Sequence, residues 1–321
     1  MQRMFLRKLT GAGITLLCAT LILFVLIRLA PGDPVKLHLG PSSDVALDST
    51  EAYDQRVAEL RTQLGLDRSI FAQYTTWMKR LLQLDLGTSI HTGRAVGSEL
   101  ADRLPATLAL AVAALAIQLA LGLVLGTASA LKADRLQDNV IRLACVVLAS
   151  APAFVIGLFL LSFFAVSLHV YDISNEARPE RLWLPAVTLG AMGAPNLIRI
   201  IRANLLAELG QPYVLSALSR GLARKLVVRH ALRNALLPVV TVAALSFIGL
   251  IGGAVVIESI FSWPGIGKYA LDSILLKDYP AIQGYALVVI AMVVAIHLLV
   301  DVVYLFLDPR IRRGREGDVH A

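Results

Sequence analysis

The chain contains one near-match to a nucleotide-binding loop, at Gly267 and Lys268. A Walker A loop needs the spacing G-x-x-x-x-G-K-[ST], because its backbone N–H groups hold the phosphates and its hydroxyl group binds magnesium. Here Tyr269 follows the lysine, and Ser262 stands in the place of the first glycine. The sequence also has no HExxH motif, no GxSxG motif and no Cys/His cluster. We therefore expect that the chain is not an enzyme and binds no cofactor.

Ionisable side chains inside the apolar segments form a second group of candidates. Arg28 and Asp301 lie near the ends of such segments, from which long side chains can reach water. His297 and Asp301 are four residues apart on one helical face, so they could form a hydrogen-bonded pair. Two interpretations of this pair are possible: a polar packing contact between helices, or a metal or proton site. Cys18 and Cys145 are expected to be small buried residues without a disulfide.

One strongly basic segment runs from Tyr213 to Pro238. Its positively charged residues are Arg220, Arg224, Lys225, Arg229, Arg233 and, depending on pH, His230. Such a segment cannot lie in lipid, and we expect it to be a cytosolic loop. Its first part, Tyr213 to Leu222, is compatible with a helix that ends at Gly221, where the chain can turn sharply. A short helix that projects from a membrane is suited to docking a soluble partner.

Apolar segments on both sides of this loop dominate the composition. The chain is 57% hydrophobic with a mean hydropathy of +0.70, which is too apolar for a soluble domain of this length. Hydropathy predicts an all-α polytopic membrane protein with six transmembrane helices. These lie at about Gly11–Ala30, Thr107–Leu131, Val140–His169, Trp183–Leu205, Ala235–Ile257 and Gly284–Leu307. The first is expected to be retained rather than cleaved as a signal peptide, because APGDP follows it.

The distribution of lysine and arginine predicts the orientation. The N-terminus, the loop after the second helix, the basic loop and the C-terminal tail are rich in these residues, whereas the loops at 170–182 and 258–283 hold few. The basic side is expected to be the cytosol, which places both termini there. The isoelectric point near 9.6 reflects this asymmetry. We expect no nucleic-acid partner, since no basic patch with interleaved aromatic residues is present.

The polar segment at about 31–104 is then external. Within it, Glu51 to Leu64 and Ile70 to Leu84 have helical patterns, and Leu64–Asp67 and Asp85–Gly87 are typical of turns. The segment is too small for an enzyme domain, but it could cover the mouth of a pore or contact an external partner.

Small residues and prolines indicate how the helices pack. The pairs Gly122/Gly126 and Gly249/Gly253 have the spacing that lets helix backbones approach closely. Pro152 and Pro195 are expected to kink their helices. Kinked helices could line a pathway, and they could equally serve packing alone.

Short motifs along nearly the whole chain resemble those of one family. They are RLAPGDP (28–34), LGLD (64–67), QYTTW (73–77), LDLGTS (84–89), RLPATLAL (103–110), SAPAF (150–154), LPAVTLG (184–190), ESIFSWPGIG (258–267), KDYP (277–280) and LDPRIRR (307–313). Their number and order make the chain similar to the permease subunits of ABC importers for dipeptides, oligopeptides and nickel. The resemblance implies a single type I ABC importer transmembrane domain over residues 1–321, in a bacterial inner membrane.

The resemblance also assigns roles within the basic loop, at about 206–234. This loop would couple the permease to an ATPase, through Tyr213, Ala217, Ser219, Arg220, Gly221, Arg229, His230, Asn234 and Pro238. Weaker candidates for the pathway or a gate are Pro152, Glu258, His297 and Asp301. The chain departs from the family where Ser-Arg replaces the commoner Ala-Lys before Gly221, and where the spacing from Gly221 to His230 is one residue short. It departs again at His297, where the family usually has asparagine.

The implied partners are a second permease subunit in a heterodimer, two cytosolic ATPases that use the ATP, an external solute-binding protein and membrane lipid. Arg-Gly at 220–221, IGGAVVIE (251–258) and the tail with His320 are most similar to the nickel branch. Nickel or a metal chelate is therefore the expected solute, and a dipeptide or oligopeptide is the alternative. Two further alternatives are a secondary transporter and a membrane scaffold whose basic loop binds anionic lipid.

Overall fold

The computed structural model describes residues 2–29, 50–63 and 67–307. Within these ranges the chain is helical and forms no strand, apart from an isolated antiparallel bridge between Thr88 and Ala95. The expected all-α fold is confirmed. The RLAPGDP and LDPRIRR motifs and the turn predicted at Leu64–Asp67 lie largely outside the described residues.

The helices follow one another with short connections. They are α1 (Gln2–Leu29), α2 (Thr50–Gln63), α3 (Ile70–Leu82), α4 (Val96–Leu131), α5 (Leu136–Ser150), α6 (Ala153–Leu161), α7 (Pro179–Leu209), α8 (Pro212–Ser219), α9 (Arg224–Ala235), α10 (Leu237–Ile260), α11 (Ile266–Leu275) and α12 (Tyr279–Leu307). A short π-helix, Ser162–Ser167, continues α6.

In the described part of the chain, five helices are long and apolar enough to cross a membrane, namely α1, α4, α7, α10 and α12. A sixth span exists only if α5 is joined to α6 and its π-helix, and the two parts are bent by 99°. The span predicted at Val140–His169 thus corresponds to this bent pair, and the kink expected at Pro152 is a bend of 99°. The bend lies at Pro152, which lacks an N–H group and disfavours helical backbone at Ala151. Pro195, in contrast, lies inside the unbroken helix α7.

Three predicted loops contain helix. Helix α4 begins at Val96 and runs through Pro105, so it starts inside the segment predicted at about 31–104. The loops predicted at 206–234 and 258–283 contain α9 and α11. Hydropathy finds apolar spans well, but it does not detect short polar helices that are stabilised by packing.

The structure divides into two compact units, of which the first contains residues 1–102 and 270–321. In this unit α3 packs on α1 through three aromatic rings. The ring centroid of Phe24 lies 5.3 Å from that of Tyr74 and 5.8 Å from that of Trp77. The hydroxyl oxygens of Thr20 and Tyr74 are 3.1 Å apart. The QYTTW motif thus supplies the contacts that attach the amphipathic α3 to the first membrane helix.

A second contact in this unit joins two distant motifs, LDLGTS and KDYP. The Ser89 hydroxyl donates to Oδ2 of Asp278 at 2.5 Å, and the Ile90 N–H donates to the same oxygen at 3.1 Å. The other oxygen of Asp278 accepts from the Ala281 N–H at 3.3 Å, at the start of α12. Gly87, the last residue of the turn expected at Asp85–Gly87, has a φ of +85°, and its N–H donates to Oδ1 of Asp85 at 2.9 Å. The buried carboxylate of Asp278 therefore caps α12 and binds the segment that follows this turn.

The second unit contains residues 103–269. Its core is formed by fully buried apolar side chains of α4, α7 and α10, including Leu110, Leu184 and Ile257. The glycines at 122 and 126 of α4 bring its backbone against α7, since a Cβ atom at either position would lie 2.9 Å from the Cβ of Leu197 or Ile201. This confirms one predicted packing pair. In the other pair, a Cβ at Gly253 would lie 3.4 Å from the Cδ1 atom of Leu189, whereas a Cβ at Gly249 would meet nothing within 4 Å among the described residues.

Candidate functional site

The basic loop between α7 and α10 folds as two short helices, α8 and α9. Helix α8 begins with Pro212 at its first turn, where a missing N–H group costs nothing. Its last helical residue is Ser219, two residues before Gly221, where the sequence predicts that the chain turns. Helix α9 was not predicted, although Val227, Ala231 and Ala235 recur every four residues, as one apolar helix face requires.

Gly221 ends α8 in the way the sequence predicts. It has a φ of +79°, in the left-handed region that side chains other than glycine rarely adopt. Its N–H donates to the Leu218 carbonyl at 3.0 Å, and the Leu222 N–H donates to the Ala217 carbonyl at 3.2 Å. These two bonds are the Schellman pattern, which satisfies the last carbonyl groups of a helix. The predicted helix end at Gly221 is therefore present, whereas the coupling roles of Ala217 and Gly221 stay predictions.

Hydrogen bonds at the start of α8 join three helices. The Tyr213 hydroxyl donates to Oε2 of Glu208, the penultimate residue of α7, at 2.7 Å. The Asn234 side-chain nitrogen, on α9, lies 3.4 Å from the Tyr213 hydroxyl and 3.5 Å from the same Glu208 oxygen. Partial burial and the bond to Glu208 raise the pKa of the Tyr213 hydroxyl. Two predicted site residues, Tyr213 and Asn234, are therefore brought together by a glutamate that sequence reasoning missed.

Helix α9 is attached to α7 by its apolar face. Ala231 and Ala235 are buried together with Leu205 of α7 and Ala130 of α4. Small side chains on α9 allow the two backbones to approach closely. A displacement of α9 must therefore move α7, because close-packed interfaces transmit strain instead of deforming.

A surface of large apolar side chains is left uncovered on α8, on the turn after it and at the start of α9. Leu215, Leu218, Leu222 and Leu226 are 66%, 42%, 38% and 43% exposed. We call these four residues the leucine surface. Only Val214 of α8 is fully buried. Exposed apolar side chains clustered on a short helix mark an interaction site more often than isolated ones do.

The remaining predicted loop residues are accessible. The Ser219 hydroxyl donates to the Leu215 carbonyl within α8 at 2.9 Å. Arg220, Arg229 and His230 are exposed, and none of them makes a hydrogen bond to a side chain in the described part of the chain. Pro238 is exposed in the first turn of α10. The structure thus presents a basic, partly apolar face on this loop.

The weaker gate candidates are scattered. Pro152 lies at the bend between α5 and α6. His297 is exposed on α12, and its Nδ1 atom lies 2.9 Å from the Val293 carbonyl oxygen one turn earlier. The side chain of Asp301 lies outside the described residues, so its pairing with His297 stays a prediction.

Glu258, the fourth gate candidate, is fully buried and bridges two motifs. Its Oε1 atom accepts from the Thr107 hydroxyl at 2.6 Å, and its Oε2 atom accepts from the Lys268 N–H at 2.9 Å. The Thr107 oxygen in turn accepts from the Ile266 N–H at 2.9 Å. The carboxyl group therefore holds the first turn of α11 against α4. This structural contact explains a glutamate at position 258 without a role in a gate.

Sequence reasoning missed an ion pair inside the helical bundle. Arg202 of α7 donates through Nε and Nη2 to the two carboxylate oxygens of Asp138 of α5, at 2.8 and 2.6 Å. The Ser129 hydroxyl and the Asp134 N–H also donate to this fully buried carboxylate. Hydropathy averages hid Arg202 inside the span predicted at 183–205, and Asp138 lies just before the span predicted at 140–169. The arginine at position 199, one turn before Arg202, was overlooked for the same reason.

The described residues contain no group of three or more His, Cys, Asp or Glu side chains placed to hold a metal ion.

Comparisons with known proteins identify the family. The family described as binding-protein-dependent transport system inner membrane component matches residues 118–313, and the family of its N-terminal part matches residues 1–111. The glutathione transport system permease protein GsiC of Salmonella typhi is 35% identical over 308 residues, which cover 96% of this chain and 98% of the relative.

Other relatives match over a similar length. GsiC of Pectobacterium atrosepticum is 35% identical over 313 residues, covering 97% of this chain and 99% of the relative. A protein of Brucella ovis, provisionally named a peptide permease, is 37% identical over 319 residues, covering 95% of this chain and 97% of the relative. The chain therefore belongs to the inner-membrane components of binding-protein-dependent transport systems, and it is a permease component of an ABC importer.

Proposed function

We propose that the chain is the permease of an ABC importer for short peptides delivered by an external binding protein. The observation that carries this proposal is the 35% identity to a glutathione permease over 96% of the chain. The relative named for peptides supports the same solute class. These names favour the peptide alternative over the nickel solute that Arg-Gly at 220–221 and the C-terminal tail led us to expect.

The proposed arrangement in the membrane follows the distribution of charge. Residues 1–321 form one transport domain with both termini in the cytosol, an external segment at about 31–104 and a cytosolic coupling loop at about 206–234. The chain pairs with a second permease subunit, and two ATPases bind on the cytosolic side. Reporter fusions after Ala133, near Leu222 and at the C-terminus should be cytosolic, whereas fusions near Gly40 and Asn175 should be external. An external reporter near Leu222 would refute the arrangement.

The leucine surface is the proposed contact with the ATPase. Burial of four partly exposed leucine side chains in a groove stabilises a complex by the hydrophobic effect, at about 25 cal/mol per Å² of apolar area. The exposed cations Arg220 and Arg229 beside it favour an acidic rim on the partner and speed its association. An amphipathic helix in a hydrophobic groove is a common recognition mode.

Movement of the ATPase would reach the membrane helices by two connections. The first is the hydrogen-bonded group of Glu208, Tyr213 and Asn234, which fixes the start of α8 to α7 and α9. The second is the buried contact of Ala231 and Ala235 with α7. A short helix fixed at its start and held against a long one can transmit a rigid-body motion. Closure of the ATPases would thus tilt α7 and change access to the solute pathway.

Growth and uptake assays test the solute. A strain that lacks only this chain should lose uptake of a labelled tripeptide such as glutathione, and a copy of the wild-type gene should restore it. Cellular nickel, measured in the same strain under metal limitation, should not change. A strain that keeps peptide uptake but loses nickel would overturn the peptide assignment and return the chain to the nickel branch.

A charge-preserving scramble of residues 213–222 tests the docking contact. Protein docking depends on the order of the side chains, whereas binding of the loop to anionic lipid depends mainly on its charge. The scrambled chain should insert normally and lose both ATPase association and uptake. A scrambled chain that retains ATPase association would favour the lipid-binding scaffold instead.

A further inference from the structure

A cavity of about 900 Å³ lies within the second unit, between α5, α7 and the end of α4. Three arginines contribute to its wall, Arg142, Arg199 and Arg202, and Asp134 also lines it. Ser129 lies at the same end of the cavity, next to the buried carboxylate that binds Arg202. The volume is within the range of ligand sites.

The charge of this cavity is positive and partly uncompensated. The carboxylate of Asp138 matches the charge of Arg202. Arg142 and Arg199 are exposed, and neither makes a hydrogen bond or ion pair in the described part of the chain. Two acidic residues lie at the cavity: Asp138 is buried behind Arg202, and Asp134 lines the wall. Three arginines therefore face two aspartates, and the cavity is suited to an anion.

The position of the arginines along α7 indicates their depth in a membrane. Helix α7 has 31 residues, so at ~1.5 Å per residue it is ~46 Å long, against ~30 Å for the hydrocarbon core. Trp183 is partly exposed near its start, and tryptophan prefers the membrane–water interface. From Trp183, Arg199 and Arg202 are about 24 and 28 Å along the axis, near the opposite boundary, where lipid headgroups begin.

Apolar side chains lie beside the cavity on α5. Leu143, Val146 and Val147 are 65%, 60% and 59% exposed, and Val146 also lines the cavity. A ligand that fits here carries an anionic head next to an apolar body. A soluble phosphate or a peptide carboxylate would use the arginines but leave this apolar surface unoccupied.

We propose that this cavity binds the phosphate of an anionic phospholipid from the leaflet at the basic side of the protein, with Arg142 and Arg199 as the phosphate ligands. Asp138 acts as a positioning residue, because it holds Arg202 in the wall with a bidentate contact. The acyl chains lie along Leu143 and Val147. Basic cavities between membrane helices on the cytosolic side recognise anionic headgroups by this combination of charges. The inference is independent of the solute that the importer carries.

Native mass spectrometry of the purified full-length chain tests the proposal, with phosphatidylglycerol and phosphatidylcholine of matched acyl chains as probes. Each arginine near an anionic lipid contributes a factor of about 5, so two should favour phosphatidylglycerol by roughly 30-fold. The double variant Arg142→Gln/Arg199→Gln should lose this preference. Arg142→Lys/Arg199→Lys should keep most of it, which separates loss of charge from loss of folding. Lys132→Gln, an exposed cation in the preceding loop and outside the cavity wall, is the matched control and should bind like the wild type.

Several results would overturn the proposal. The first is equal binding of the two lipids to the wild type. The second is displacement of phosphatidylglycerol by excess inorganic phosphate or by a tripeptide, which would make the cavity a site for soluble anions. The third is loss of the preference when the chain is copurified with its second permease, because the cavity would then be an interface between subunits.

Discussion

Replacing Gly221 with leucine tests whether the turn after α8 must keep its left-handed backbone. The residue has a φ of +79°, and a Cβ atom there would meet nothing within 4 Å. The Cβ atom therefore causes no clash, and the expected cost is backbone strain of about 1–2 kcal/mol. Strain of this size makes the turn open about 5- to 30-fold more often.

Amide hydrogen exchange measures this opening directly. The Leu222 N–H is protected by its bond to the Ala217 carbonyl, so in Gly221→Leu it should exchange about 5- to 30-fold faster. Peptide uptake by the assembled importer should fall, while insertion into the membrane is unchanged. Gly221→Asn is the matched control, because asparagine tolerates the left-handed region and should stay close to the wild type in both assays.

Two outcomes would refute this reasoning. Equal exchange in the leucine and asparagine variants would show that strain at Gly221 does not hold the turn. Faster exchange at Leu222 with normal uptake and normal ATPase stimulation would show that the turn is not needed for coupling. The two outcomes separate an error about the backbone from an error about the function.

Three further predictions concern stability, measured by thermal or denaturant unfolding of the purified chain in detergent. Gly126→Ala should destabilise by about 1–3 kcal/mol, since its Cβ would overlap α7; Gly249→Ala faces open space and should be neutral or stabilise by up to about 1 kcal/mol. Equal effects of these two variants would contradict the packing of α4 on α7. Asp138→Asn should cost about 3 kcal/mol, because it leaves Arg202 without its charge partner, and unchanged stability would show that the pair is not structural. Glu258→Ala should cost about 1–3 kcal/mol for each donor left unsatisfied, and a stable variant with lost transport would instead indicate a gate.

The sequence predicted those features that depend on local patterns. The helix at Ile70–Leu82 and the end of α8 at Gly221 follow from apolar periodicity and from the backbone freedom of glycine. The bend at Pro152 was expected as a kink, but its size of 99° depends on what surrounds it. Proline interrupts a helix, and only tertiary contacts decide the angle at which the chain continues.

The candidate site was predicted in part. Tyr213, Asn234 and the glutamate at 208 all lie in the predicted loop, but no local pattern shows that the glutamate, at the end of α7, joins the other two. Helix α9 was missed because its apolar residues are few and its charges many, although its four-residue period was visible. The cavity arginines at 142 and 199 belong to separate spans, so nothing in the order of residues shows that they face one space.

The contact between Ser89 and Asp278 cannot form until most of the chain has been made, since 189 positions separate the two residues. At a synthesis rate of ~5–20 residues per second, Asp278 is made about 10–40 s after Ser89. During that time the segment at Ser89 and Ile90 has been synthesised without the carboxylate that binds it, and α1 lacks α12, its packing partner. A premature stop codon late in the gene would therefore leave the first third of the protein unfinished, even though every residue of that third is present.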